Sequence, residues 1–159
     1  MRKKAKILSA ACVLALTLCM LGVGMNVQAE ESLPQIDGSY LTHESESIGY
    51  DTKITRGVDL LTGYSKCVRL GEGKLYAGGS TIAAQTVAKV GIGVTVERAR
   101  EGDESWEGYD GWIQFNENAD RVSANKRLEV EGGYYYRVRC THSANDDQSS
   151  SFTNGVFIE

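Results

Sequence analysis

The chain has 159 residues, 17 of them basic and 21 acidic, and a formal net charge of −4 at pH 7. No acidic residue precedes Glu30, so removal of the first 29 residues leaves 13 basic and 21 acidic residues and a net charge of −8. A surface of this charge repels nucleic acid and anionic membranes, so we expect neither as a partner.

The first 29 residues have the order of an export signal. Basic residues at Arg2–Lys6 precede an apolar stretch over residues 7–23, and Val27-Gln28-Ala29 presents small or apolar side chains to a signal peptidase. We therefore predict cleavage after Ala29 and a secreted, extracellular protein without stable membrane insertion. Retention of the apolar stretch as an anchor stays open, because residues 7–27 approach the ~20 residues of a spanning helix.

Residues 30–52 form a polar, acidic stretch that includes Glu44-Ser45-Glu46-Ser47. Such a stretch is typical of a flexible or loosely docked leader. Residues 53–159 are predicted to form a single domain around one core. Glycine, β-branched residues and tyrosine are frequent there, and Pro34 is the only proline of the chain, a composition that favours strands and turns.

Short strand signals recur through the predicted domain. Residues 65–77 read as a hairpin whose turn is Gly71-Glu72-Gly73. Residues 92–97 alternate apolar and polar side chains, as a half-buried strand does. Residues 54–64 and 80–90 fit either a strand or a helical turn, and periodicity does not decide between them. Further strands are predicted at Trp112–Phe115, Arg127–Val130 and Thr153–Ile158, and polar turns or loops at Glu101–Ser105, Glu131–Gly133 and Ser143–Ser151.

The clearest strand signal is Tyr134–Cys140. Alternation places Tyr134, Tyr136, Val138 and Cys140 on one, core-like face, and Tyr135, Arg137 and Arg139 on the other, solvated face. With about seven short strands at spacings near ten residues, the sequence predicts an all-β fold of the antiparallel β-sandwich type.

The run from Gly132 to Arg139 resembles the sixth strand of fibronectin type III domains, in which a glycine turn leads to a corner tyrosine and an alternating Arg-Val strand. The resemblance implies an immunoglobulin/fibronectin-III-like sandwich and makes Tyr134 the corner tyrosine, with its hydroxyl bonded to backbone near the turn. The chain departs from the pattern in lacking a tryptophan on an early strand.

The chain also resembles an uncharacterised family of small secreted proteins of Gram-positive bacteria. The matching stretches are Gly78–Thr81, Val94–Arg98, and Gly132–Cys140 followed by His142-Ser143-Ala144. This resemblance implies export and a single domain, and it carries no activity.

Two cysteines, Cys67 and Cys140, remain after cleavage of the signal. In an oxidising compartment they are expected to form one disulfide. The chain-entropy treatment assigns a loop of this length a stabilisation of roughly 4 kcal/mol. Neither a metal site nor a cofactor site is predicted, because the cysteines lack further ligands at suitable spacing and the glycine pairs lack the context of a phosphate loop.

Few residues of the chain could take part in catalysis, so the sequence predicts no catalytic residue. His43 and His142 are the only histidines, and no Gly-x-Ser-x-Gly motif is present. A small secreted hydrolase acting on cell-wall or host polymers stays an alternative, in which His142 would have to line a pocket with hydroxyl and carboxylate neighbours.

Trp106, Tyr109 and Trp112 form the most suggestive cluster. Exposed aromatic rings stack on sugars or on partner side chains, whereas the same residues can also fill the core of a sandwich. The leading hypothesis is therefore a non-catalytic extracellular interaction or structural module whose ligand is a surface protein or glycan.

Overall fold

A computed structural model describes residues 33–51 and 57–159. Within them the chain is all-β and contains no helix, which confirms the predicted class. The predicted signal segment lies outside the described residues. The strands are β1 (Gln35–Ile36), β2 (Ser39–Thr42), β3 (Glu46–Tyr50), β4 (Leu60–Gly71), β5 (Lys74–Ala99), β6 (Glu107–Glu129), β7 (Tyr134–Ala144), β8 (Asp147–Phe152) and β9 (Gly155–Ile158).

The strands form one curled, mixed sheet with the order β1-β2-β9-β7-β5-β4-β3, in which β6 also pairs with β5 and β8 also pairs with β7. All pairs are antiparallel except β2 with β9. The short strands predicted over residues 74–97 are parts of the 26-residue β5, and those at Trp112–Phe115 and Arg127–Val130 are parts of the 23-residue β6. The predicted loop at Ser143–Ser151 contains most of β8, because Asn145 at φ 49° and Asp146 alone make the turn after β7.

A break in the β5–β6 pairing folds this sheet onto itself. Pairing runs from Lys74 to Ile82 and resumes at Val87, so that residues 83–86 of β5 face Asp120 of β6. Such an excess of residues on one strand bends the pair and increases its twist. Before the bend β5 pairs with β4, and after it β5 pairs with β7. The bend therefore brings β4 and β7 together as two packed layers.

The core lies between these layers. Ile92, Val94 and Val96 of β5 and Tyr136 and Val138 of β7 are buried on the inward face, as the alternation predicted. Each large apolar side chain removed from water stabilises the fold by about 1.5–3 kcal/mol.

The outer face of β7 differs from the prediction. Arg137 is 1% exposed, because β1 and β2 cover it. Its guanidinium donates to the Glu97 carboxylate (2.6 Å), the Asp37 carboxylate (2.8 Å) and the Ser39 hydroxyl (3.0 Å). A buried charge costs several kcal/mol unless it is paired and hydrogen-bonded, and this set of acceptors meets that requirement. The Arg137 guanidinium in turn holds the pKa of the Asp37 carboxyl below its ordinary value.

The predicted leader, residues 30–52, contains β1, β2 and β3. The acidic run at Glu44–Ser47 that suggested a flexible leader reaches into β3, which pairs along its length with β4. Lys66 pairs with Glu46 at 2.9 Å across these strands. The expectation of a loosely docked leader is therefore wrong for residues 35–50, and its polarity reflects the exposed position of β3 at one end of the sheet.

The tyrosine whose hydroxyl bonds back to the turn before β7 is Tyr136 and not Tyr134. The Tyr136 hydroxyl donates to the backbone oxygen of Glu131, 2.8 Å away, at the turn before β7. Tyr134 lies under the Arg98 and Arg100 guanidinium groups, and its hydroxyl accepts a hydrogen bond from Arg100. The sequence alternation places both rings on one face, so it could not distinguish them.

The two tyrosines provide a matched test. Tyr136→Phe should lower the free energy of unfolding by about 1 kcal/mol, because it leaves a part-buried carbonyl without its donor. Tyr134→Phe should cost less than about 0.5 kcal/mol, since its hydroxyl bond is exposed. Urea denaturation of both variants measures the difference, and an equal or reversed ranking would contradict the assignment.

Candidate functional site

A groove of about 930 Å³ lies on the outer face of the layer formed by β6, β5 and β7. Gly93 of β5 lies at its centre, between Ile113 of β6 and Thr141 of β7, with which it pairs in register. A Cβ atom at Gly93 would meet only the side chains of Ile113 and Thr141, both at 3.9 Å. Glycine at this position therefore leaves an open floor between two walls.

One wall of the groove is apolar and exposed. Ile113 is 67% exposed and Phe115 is 45% exposed, on the same face of β6. The Phe115 ring lies against Gly91, where a Cβ atom would collide with it. The Lys89 ammonium lies over the ring, 4.0 Å from its centroid. The opposite wall and the ends are polar and are formed by Thr95, Thr141, Ser143, Asn145 and Gln148.

The three aromatic residues predicted as a binding cluster do not share a surface. Trp106 is half-buried in a small cluster with Ile36 and Tyr135, and its indole N–H donates to the backbone oxygen of Ile36 at 2.9 Å. Tyr109 and Trp112 pack against the main core instead. The pairing of β5 with β6 shifts between Val96 and Glu97, and this irregularity overturns the simple alternation that placed Trp106 with Trp112.

Trp112 closes the space between the two halves of β6. The Lys126 ammonium lies 4.2 Å from the centroid of its ring, and Lys126 also pairs with Asp110 at 3.3 Å. The indole N–H of Trp112 is buried and has no hydrogen-bond partner within the described part of the chain. The ring contributes mainly packing, since only the face toward the lysine meets a charge.

His142 is fully buried and takes part in a hydroxyl network. Its Nδ1 lies 2.8 Å from the Thr81 hydroxyl and its Nε2 lies 2.8 Å from the Ser151 hydroxyl. Thr81 donates its single hydroxyl proton to the backbone oxygen of Gly91. Nδ1 must therefore carry the ring proton, and Nε2 accepts from Ser151. Burial lowers the pKa of His142 to about 4, so the ring is neutral at pH 7.

His142 and Ser151 have the contacts of a Ser–His dyad, but a substrate cannot reach them. His142 is 0% exposed and Ser151 is 1% exposed. Gly63 of β4 covers the imidazole, because a Cβ atom there would collide with the ring. The condition set for a hydrolase, His142 in a pocket, is therefore not met, since a nucleophile that substrate cannot touch performs no acyl transfer. His43, the other histidine, is exposed and contacts Tyr135 and Phe157.

Cys67 and Cys140 are free and buried, so the predicted disulfide is absent from the structure. The Cys67 thiol donates to the backbone oxygen of Tyr136 at 3.3 Å, and the Cys140 thiol to that of Gly78 at 3.8 Å. The two residues lie on β4 and β7, which both pair with β5 and not with each other. Burial raises the pKa of Cys67, and raises that of Cys140 to about 12, which suppresses the thiolate needed for chemistry.

Two glycines of β5 carry a signal for the groove in the sequence, although no motif marks it. Gly91 and Gly93 alternate with buried Val90, Ile92 and Val94, so they mark the outer face of a strand. A glycine in a strand often marks close approach by a neighbouring side chain or ligand, and here it does so for Phe115. Within the described residues no group of three or more acidic, histidine or cysteine side chains could hold a metal ion.

The buried histidine makes stability depend on pH. The folded chain holds His142 with a pKa of about 4, below its ordinary 6.5, so the unfolded chain binds the proton more tightly. The free energy of unfolding should fall by up to about 3 kcal/mol as pH falls from 6.5 to 4. Chemical denaturation across this range measures the slope.

Two variants test whether His142 causes this pH dependence of the free energy of unfolding. His142→Gln removes the titrating group and should flatten the dependence between pH 6.5 and 4, whatever its effect on absolute stability. His43→Gln removes the exposed histidine and should leave the dependence intact. An unchanged slope in His142→Gln would contradict the assignment.

Comparison with protein-family models, with curated proteins and with solved structures finds no match for this chain. In the parts of the chain that the structure describes, no helix is long and apolar enough to cross a membrane.

Proposed function

We propose that this chain is an exported, non-catalytic interaction module that binds a protein partner in the groove on the outer face of β5, β6 and β7. The observation that carries the proposal is the exposed apolar wall of Ile113 and Phe115 beside the open floor at Gly93. Isolated exposed apolar side chains are ordinary, whereas an apolar wall in a concave site with a polar rim is typical of a binding site.

The chemistry of the groove favours a protein partner over a glycan. Sugars bind aromatic faces, yet the Phe115 ring lies on Gly91 and carries the Lys89 ammonium. The remaining apolar surface is the aliphatic side chain of Ile113. This wall suits an aliphatic or aromatic side chain of a peptide, and the hydroxyls of Thr95 and Thr141 in the polar part of the groove suit its backbone.

A non-catalytic role agrees with the placement of the polar groups. The Ser151–His142 pair is sealed inside the core, and the rim of the groove consists of hydroxyl and amide groups and one lysine. No observation favours the alternative of a secreted hydrolase. Export remains part of the proposal and is supported by the order of charge, apolar stretch and small residues in the first 29 positions.

The relation to immunoglobulin and fibronectin type III sandwiches is also part of the proposal. The packing of two layers and the corner tyrosine Tyr136 support it. The continuous strands β5 and β6 and the parallel pair β2–β9 depart from it. Membership of the family of small secreted proteins of Gram-positive bacteria is likewise part of the proposal. Its support is the matching sequence stretches alone.

A groove-filling substitution tests the proposal. Gly93→Val puts a β-branched side chain on the floor, where space is open and the backbone is extended, so the fold should tolerate it. Gly108→Val is the matched control, because a Cβ atom there meets nothing within 4 Å and Gly108 lies beside the turn between β5 and β6, outside the lining of the groove.

The probe is a displayed library of random 12-residue peptides, selected on the purified protein. We expect enriched peptides to share an apolar anchor, to bind the Gly108→Val protein as well, and to lose at least tenfold in affinity for Gly93→Val at an unchanged melting temperature. A glycan array runs in parallel. Sugar binding that Gly93→Val abolishes would overturn the choice of a protein partner, and peptides indifferent to Gly93→Val would overturn the groove.

A further inference from the structure

The strand β6 presents a free edge. It is 23 residues long and, among the described strands, pairs only with β5. An edge strand exposes a row of unpaired N–H and C=O groups and is therefore a template for a further strand. The half of β6 before the bend, residues 107–117, borders the groove and carries both exposed apolar residues, Ile113 and Phe115.

The backbone of Ile113 points to this free edge. The N–H of Gly111 bonds to the Asp110 carboxylate (2.7 Å), and the C=O of Phe115 accepts from the Gln114 side chain (3.2 Å). Both groups are thus held by local side chains and not by β5. Alternate residues of an antiparallel strand direct their N–H and C=O groups to the same side. Ile113 lies between Gly111 and Phe115, so its N–H and C=O also face outward.

We propose that a second copy of this chain pairs with β6 in antiparallel orientation about Ile113. In this two-fold register Ile113 lies opposite its own symmetry mate, and Phe115 lies opposite the partner's Gly111. The chain already packs Phe115 against a strand glycine, Gly91. The register also lets the N–H of Gly111 and the C=O of the partner's Phe115 bond to each other in place of their local side chains.

The proposed register keeps the acidic residues of the two copies from lying directly opposite each other. Like charges directly opposite each other on paired strands are destabilising. About Ile113, Asp110 lies opposite the partner's Asn116 and Glu117 opposite the partner's Tyr109. No acidic residue between positions 109 and 117 therefore meets another acidic residue. The bend at residues 118–120 ends the paired segment.

A dimer of this kind extends the sheet across two copies and joins their grooves into one continuous face. The inference goes beyond the proposed function and does not rest on it, because dimerisation uses the strand edge whereas partner binding uses the sheet face. Gly93→Val should accordingly leave the dimer intact, so failure of one proposal is distinguishable from failure of the other.

Substitution of Ile113 by residues of opposite charge tests the register, because in that register Ile113 lies opposite the Ile113 of the second copy. Ile113→Lys and Ile113→Glu should each weaken the dimer at least tenfold in dissociation constant, since each places like charges in contact. An equimolar mixture of the two variants should recover wild-type affinity to within about threefold. Sedimentation equilibrium measures all three constants, and the 67% exposure of Ile113 makes both variants compatible with folding.

The controls are Ile48→Lys and Ile48→Glu, at a residue of β3 that is 42% exposed. They should dimerise as the wild type does, singly and mixed. A wild-type protein that stays monomeric up to about 1 mM, the weak limit of specific association, would overturn the proposal. A dimer indifferent to both Ile113 substitutions, or a mixture that fails to restore it, would overturn the register.

Hydrogen exchange on the unmodified protein gives a second readout that needs no variant. The amide of Ile113 should become more protected as protein concentration rises, while the amide of Ile48 should not. Equal protection of Ile113 at all concentrations would contradict the pairing even if a Lys or Glu variant failed to fold.

Discussion

The fold depends on one interruption in strand pairing. β5 and β6 form a hairpin too long to lie flat over a small core, and residues 83–86 of β5, set against Asp120, bend it. Asn118, with φ of 47°, lies at the same point of β6. Because of this bend, one sheet supplies both layers and β4 packs on β7. The core, the buried network at His142 and the groove on the far side of β5 all follow from it.

Two buried polar side chains, His142 and Arg137, connect strands that are distant in sequence. The His142 imidazole lies under Gly63, between Thr81 of the first layer and Ser151 of β8. Arg137 fixes β1 and β2 over the outer face of β7. Such groups add little net stability compared with apolar packing of the same volume, but they are costly to leave unpaired. Their contribution is to favour this arrangement of strands over alternatives that would leave a buried charge or ring nitrogen without a partner.

Local signals in the sequence predict the elements better than their assembly. The turn at Gly71–Gly73, the inward face of Tyr136, Val138 and Cys140, and the all-β class all follow from spacing and turn residues. The burial of Arg137 does not, since it depends on the β1–β2 hairpin, in which β2 pairs with distant β9 and Asp37 contacts Arg137. The groove was accessible through Gly93 and Ile113, but only once their register across β5 and β6 is known. The free thiols of Cys67 and Cys140 do not follow either, because composition and compartment do not reveal that the Cys67 thiol meets the Tyr136 carbonyl of β7.

The distance between the ends of β6 tests the bend most directly. Spin labels attached at Glu107 and Glu129 through a non-cysteine amino acid leave Cys67 and Cys140 unmodified, and pulsed electron resonance measures their separation. The Tyr109 hydroxyl lies 3.3 Å from the Glu129 carbonyl, and packed layers lie about 10 Å apart. With the layers at that spacing, the two labels should lie less than about 30 Å apart. A separation near the roughly 70 Å of an unbent strand, at about 3.3 Å per residue, would contradict the folded sheet and everything built on it.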